Sequence, residues 1–196
     1  MIQPLPDFPP LFPPGRWWRI FIGRRLDGAS QEDAVAEANR GSGLNSRNWM
    51  RLPLAGGQTF SFSVKGGASS LKNRHPASWR MAQEVEREIP RYVSTLATIY
   101  GRTPFHHLLG PELVPECSPG EKAAEVCMEC FRKVHGVILP DSEMLLPRFS
   151  EAVRADSGRL AAVSAELSES FSPDLSIVDT LVRLGPDAIF PLLGAF

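Results

Sequence analysis

The stretch NWMRLPLAGGQTFSFSVK, residues 48–65, decides whether this chain contains a sheet. In its second half Phe60, Phe62 and Val64 fall on one face of an extended strand, and Ser61, Ser63 and Lys65 on the other. A period of two marks a half-buried strand. The AGGQ between the two apolar runs supplies glycines where the chain must reverse, so the stretch predicts a hairpin with one wet face. Upstream, RWWRIFIG (residues 16–23) alternates and is rich in aromatic and β-branched side chains, which predicts another strand over residues 17–22.

Helical patterns surround these strands. Ser30 is placed to cap a short helix that ends near Asn39, before the glycines. The polar segment 66–78 reads as a long loop. Ser78 then opens a helical pattern that Pro90 interrupts, and the stripe Val93, Leu96, Ala97 and Tyr100 resumes it until Gly101. Thr103-Pro104 restarts the chain as about one and a half turns of helix in PFHHLL (residues 104–109). In residues 118–136, Ser118 and Glu121 have capping-box spacing, and Ala123, Cys127, Cys130, Phe131 and Val134 form an apolar stripe that Gly136 stops. VILP (137–140) predicts a short strand, residues 158–170 a helix, and residues 172–196 two more, the first turning Ile177, Leu181 and Leu184 inward. The fold class expected is therefore α/β: a single domain over residues 16–196, with a small mixed β-sheet flanked by helices and a helical C-terminal third. A proline-rich arm, residues 1–15, precedes it.

Composition narrows the function classes. A chain of 196 residues, 43% of them apolar, can bury a core of its own. The balance of 21 basic against 22 acidic side chains gives no overall field to hold nucleic acid or an anionic membrane. No stretch reaches the roughly 18 apolar residues needed to span a bilayer, and the opening has no basic-then-apolar leader pattern, so the cytoplasm is expected. Three cysteines are too few, and odd in number, for a secreted disulfide framework. The 18 prolines exceed the roughly 5% of average chains, and those from Pro4 to Pro14 exclude a helix there.

No catalytic signature stands in the sequence, so each reactive residue type carries two readings. Cys127 and Cys130 form a C-x-x-C that, with Cys117 and His135, offers four metal ligands; both cysteines also sit in an apolar helical stripe, where free cysteine packs as a small hydrophobe. The packing reading is preferred, with no metal expected. His106 and His107 bring imidazoles suited to general-base work, yet helical neighbours point about 100° apart, so at most one faces a given site. Arg47 and Asn48 can clamp a carboxylate or phosphate, or simply be polar residues at a strand edge. Asp179 is either solvated or a deliberately paired buried carboxylate; Arg183, four residues on, favours the solvated reading.

Three passages together resemble the bacterial WbqC-like family, in particular its Bacteroidetes branch. RNWMRLPLAGGQTFSFSV (47–64) is similar to the family's R-N-R segment and following hairpin. ATIYGRTPFHHLLGPEL (97–113) is similar to its Y-x-x-x-P-[FY]-F segment, and LSIVDTLVRLGPDAI (175–189) to its L-S-I-[LI]-D-L-L-F-x-x-G-P ending. Arg47, Asn48, Tyr100, Pro104, Phe105, Asp179 and Gly185 match by position. Trp49 replaces the second arginine, Ser63 a strand proline, and His106 an aromatic residue. The resemblance implies an acyl- or aminoacyl-type transferase acting on an amino sugar in surface-polysaccharide biosynthesis, and it names no cofactor. Arg47, Asn48 and Tyr100 would bind substrate, His106 or His107 would take the proton from the attacking amine, and Asp179 would orient a partner. The departures leave a second expectation open: a non-catalytic binding or assembly protein of the same fold, docking on a partner or a second copy of itself through the N-terminal aromatic and proline-rich segment with Trp17 and Trp18.

Overall fold

Where the aromatic run 17–22 predicts a strand, the chain forms a helix. In the computed structural model, which describes residues 5–139 and 171–193, α1 spans Gly15–Leu26. A strand would send Trp17 and Trp18 to opposite faces. In α1 they share one buried face with Phe21 and Ile22, at the i, i+1, i+4, i+5 spacing of a helix. That face closes around Phe131: the Trp18 ring stacks on it at 5.3 Å between centroids, and Trp17 and Phe21 meet it edge-on at 6.1 and 5.2 Å. Aromatic pairs of this kind add about 0.5–1.5 kcal/mol each beyond the area they bury. Tertiary packing outweighs the strand preference of the individual residues.

α2 (Gln31–Gly41) follows as expected, with the Ser30 hydroxyl accepting from the Asp33 N–H at 3.1 Å. The hairpin is also present. β1 (Arg51–Pro53) pairs antiparallel with β2 (Thr59–Ser61), placing Leu52 opposite Phe60. Gly56 and Gly57 turn between them at φ values of 68° and 70°. Phe60, Phe62 and Val64 are buried while Ser61 and Lys65 are exposed, so the wet-face alternation holds. The sheet is not mixed, however. With residues 17–22 coiled into α1, two antiparallel strands remain among the described residues, extended by the single bridges Val64 to Met81 and Arg80 to Lys122.

Other boundaries move for local reasons. The expected loop 66–78 contains α3 (Gly67–Asn73) and a 3₁₀ turn at Pro76–Ser78. Residues 80–82 are drawn into extended backbone pairing with residues 63–65 and 120–121, so the next helix, α4 (Val85–Tyr100), starts later than Ser78. α4 then runs through Pro90, which lies in its second turn on the exposed side, where the Glu86 carbonyl deprived of a donor is open to water. The short α5 (His106–Leu109) comes next. The capping box forms in part, the Ser118 N–H donating to the Glu121 carboxylate at 2.9 Å, but it shapes a turn ahead of α6 (Ala123–Ile138). α6 passes the exposed Gly136 and absorbs Val137 and Ile138 of VILP, because Ile138 continues the buried row of Phe131 and Val134. After Ser176, whose hydroxyl accepts from the Val178 N–H, come α7 (Ile177–Leu184), a 3₁₀ turn (Gly185–Ala188) and α8 (Ile189–Leu193). The helix expected over residues 158–170 lies outside the described residues.

The N-terminal arm is part of the core. Phe8, Leu11 and Phe12 are buried. Leu11 donates its N–H to the Trp49 carbonyl at 2.8 Å, and Trp49 returns its indole N–H to the Phe8 carbonyl at 3.1 Å. Asn39, 1% exposed, donates to the Pro6 and Phe8 carbonyls at 2.9 and 3.1 Å and accepts the Trp17 indole N–H at 2.8 Å. At its far end the arm is stitched to residues 173–177: Gly15 and Arg16 donate to the Leu175 and Pro173 carbonyls, and Ile177 donates to the Pro13 carbonyl. Trp17 and Trp18 are 0% exposed, so the docking surface expected of them is spent inside the molecule. No helix among the described residues is long and apolar enough to cross a membrane.

Candidate functional site

Two places gather polar side chains, and they differ in access. The first is a junction at the end of α4. The Tyr100 hydroxyl accepts the Ala55 N–H of the hairpin turn at 2.9 Å and lies near enough to Asp179 on α7 for that carboxylate to raise its pKa. Asp179 in turn accepts from Arg183 Nε at 3.1 Å, and the guanidinium carbon lies 5.9 Å from the centre of the Tyr100 ring. Tyr100 is 0% exposed and Asp179 2%. The carboxylate is thus buried and paired, and the i, i+4 arginine that favours a solvated reading is instead the partner that permits its burial. A few residues away, Phe105 donates its N–H to the Val182 carbonyl at 3.0 Å and lays its ring against Gly185. Tyr100, Phe105, Asp179 and Gly185 therefore meet although they come from two distant segments.

Burial, joined by the negative charge of Asp179, raises the Tyr100 pKa above its ordinary value against the opposing pull of the Ala55 N–H and Arg183; burial raises Tyr92 as well. These are the only two tyrosines in the chain. Their folded-state pKa values lie above the unfolded value of about 10, so the stability they contribute is complete below pH 10 and declines as pH rises past it. In an alkaline titration, phenolate absorbance is expected to develop only together with loss of far-ultraviolet circular dichroism. A smooth titration near pH 10 with the dichroism intact would show that the tyrosines reach solvent.

The second place is an open cleft of about 210 Å³ between the arm and the hairpin. Pro10, Leu11, Pro14 and Pro53 give it apolar walls, and Asn48, Arg51, Arg16 and Asp174 give it polar groups. Asn48, at the end of a 3₁₀ turn that Asn45 caps, is half-buried and reaches this cleft. Arg47, one residue earlier in the same turn, is exposed and is not part of its lining.

The expected catalytic set does not assemble. His107 is exposed and His106 half-buried on α5. Neither histidine shares a hydrogen bond with Asp179 or Arg47 among the described residues, and none of the four lines the cleft. Cys127 and Cys130 pack in the core, Cys127 with its sulfur 3.8 Å from that of Met50, and burial drives both thiols well above their ordinary pKa. That is opposite to what a reactive thiolate needs. No group of three or more His, Cys, Asp or Glu among the described residues could hold a metal ion.

The residues that depart from the resemblance have structural work of their own. Trp49 is 0% exposed and holds the arm, a role that arginine could not fill without burying a charge. Ser63 donates its N–H and hydroxyl to the Glu88 carboxylate at 2.8 and 2.5 Å, where proline has neither donor. Asn39, Arg16, Arg51 and Asp174 escape sequence reading. Asn39, two residues before a glycine, looks like any helix end; Arg16 and Asp174 are single charges that pair across 158 positions, and Arg51 is a lone charge in a strand. Comparison with protein-family models, with curated proteins and with solved structures finds no match.

Proposed function

We propose that this chain is a binding protein that holds a small molecule in the cleft between arm and hairpin. The observation that carries the reading is the contrast in access. Asp179 is buried and paired with Arg183, whereas Asn48 and Arg51 stand at an open cleft with apolar walls. A cleft with apolar walls and a few convergent polar groups is the usual form of a small-molecule site. In a fragment screen followed by nuclear magnetic resonance, at least one small polar compound is expected to perturb the Asn48 side-chain amide in a saturable way. A screen whose hits all fall elsewhere, or that yields none, rules the reading out.

A second reading keeps the WbqC-like acyl- or aminoacyl-type transferase acting on an amino sugar in the cytoplasm. What favours it is the meeting of all three resembling passages at Tyr100, which accepts the Ala55 N–H and feels the charge of Asp179. It requires His106 or His107 to be indispensable for turnover of an acylated amino sugar. Unchanged turnover in a variant carrying both His106→Ala and His107→Ala would remove it.

A further inference from the structure

We infer that the cleft is built for a short monocarboxylate, with Arg51 as the group that receives the carboxylate; this rests on the binding reading above. Charge decides the sign and number. Of the three charged side chains in the lining, Arg16 and Asp174 are joined in an ion pair. The Arg51 side chain has no hydrogen-bond or ion-pair partner among the described residues. The cleft therefore presents one uncommitted positive charge. A single guanidinium receives a carboxylate through two parallel N–H donors, and Asn48 and Thr59 on the same walls supply neutral hydrogen-bonding groups beside it.

A doubly charged phosphate fits less well. Its second charge would find no second uncommitted cation among the residues that line the cleft, and the Asp174 carboxylate stands in the same lining. Size and wall chemistry narrow the class further. At about 210 Å³ the space falls below the ~300–1,000 Å³ of pockets that enclose drug-sized ligands. Pro10, Leu11, Pro14 and Pro53 offer aliphatic surface for a short hydrocarbon tail and no further polar side chain. Arg51 is exposed and opens β1 opposite Ser61, while its neighbour Leu52 carries the burial, so replacing Arg51 spares the core.

Titrating the full chain with butyrate, butyramide and inorganic phosphate, and following the Asn48 side-chain amide, tests this. Butyrate should bind at least tenfold more tightly than the isosteric neutral amide or phosphate. Arg51→Gln should weaken butyrate at least tenfold while leaving the unfolding midpoint unchanged. Butyramide or phosphate binding at Asn48 as tightly as butyrate overturns the monocarboxylate assignment and leaves the binding reading standing. Butyrate binding that ignores Arg51→Gln overturns it too. If none of the three binds while a fragment hit still perturbs Asn48, only the assignment fails; if no compound of any kind reaches Asn48, the binding reading fails with it.

Discussion

Asn39→Ala is expected to lower the unfolding free energy by about 3–5 kcal/mol, a large share of the ~5–15 kcal/mol that a native domain has in total. The Asn39 side chain satisfies three buried partners at once: the Trp17 indole N–H and the carbonyls of Pro6 and Phe8. Alanine orphans the Trp17 donor inside an aromatic cluster that excludes water, and it orphans the Pro6 carbonyl. The Phe8 carbonyl keeps its bond from Trp49. Each orphan costs ~1–3 kcal/mol, and the space left by the amide adds to that. Asn39→Asp should be worse still at neutral pH, since a carboxylate can accept from Trp17 but would point lone pairs at two carbonyls and bury an uncompensated charge. Denaturant midpoints of the two variants against the parent chain measure both effects; a loss under ~1 kcal/mol for alanine would mean that water replaces the amide.

The second large effect is expected at Gly185. Its backbone sits at φ 58° and ψ −135°, which suits glycine and strains any side chain. A Cβ there would also stand 2.7 Å from two carbons of the Phe105 ring, closer than carbon atoms approach. Gly185→Ala should therefore cost about 2–4 kcal/mol, part from strain and part from displacing the ring. Combining it with Phe105→Ala separates the two parts, because the double variant removes the collision and keeps the strain. A double variant whose loss equals the sum of the single losses would refute the ring contact as a cause.

The sequence carries the parts of the fold whose logic is local. The alternation in residues 60–65 and the stripe of α6 need only neighbours in the chain, and both are buried where the pattern places them. Residues 16–23 mislead because their eight positions contain the side chains of a strand and the spacing of a helical face. Only Phe131, more than a hundred residues later, breaks the tie. Asp179 shows the same limit from the other side. Its partner Arg183 is visible at i+4, but what buries the pair is Tyr100, and no spacing rule links positions 79 residues apart. The glycine-proline pair at 185–186 is legible as a break between two helices, while the Phe105 ring that presses on Gly185 is not.

One feature of the arm bears on how the molecule comes into being. The backbone bonds from residues 13–16 close on residues 173–177, roughly 160 positions downstream. Contacts of such long sequence separation slow a folding reaction, because a large loop must close before they form. On the ribosome, the aromatic face of α1 can meet α6 while the tail is still being made, but the arm cannot dock fully until residues 173–177 have left the exit tunnel. The hydrophobic arm is thus made roughly 160 residues before the segment that secures it, and that interval is when this protein is most open to chaperones and to aggregation.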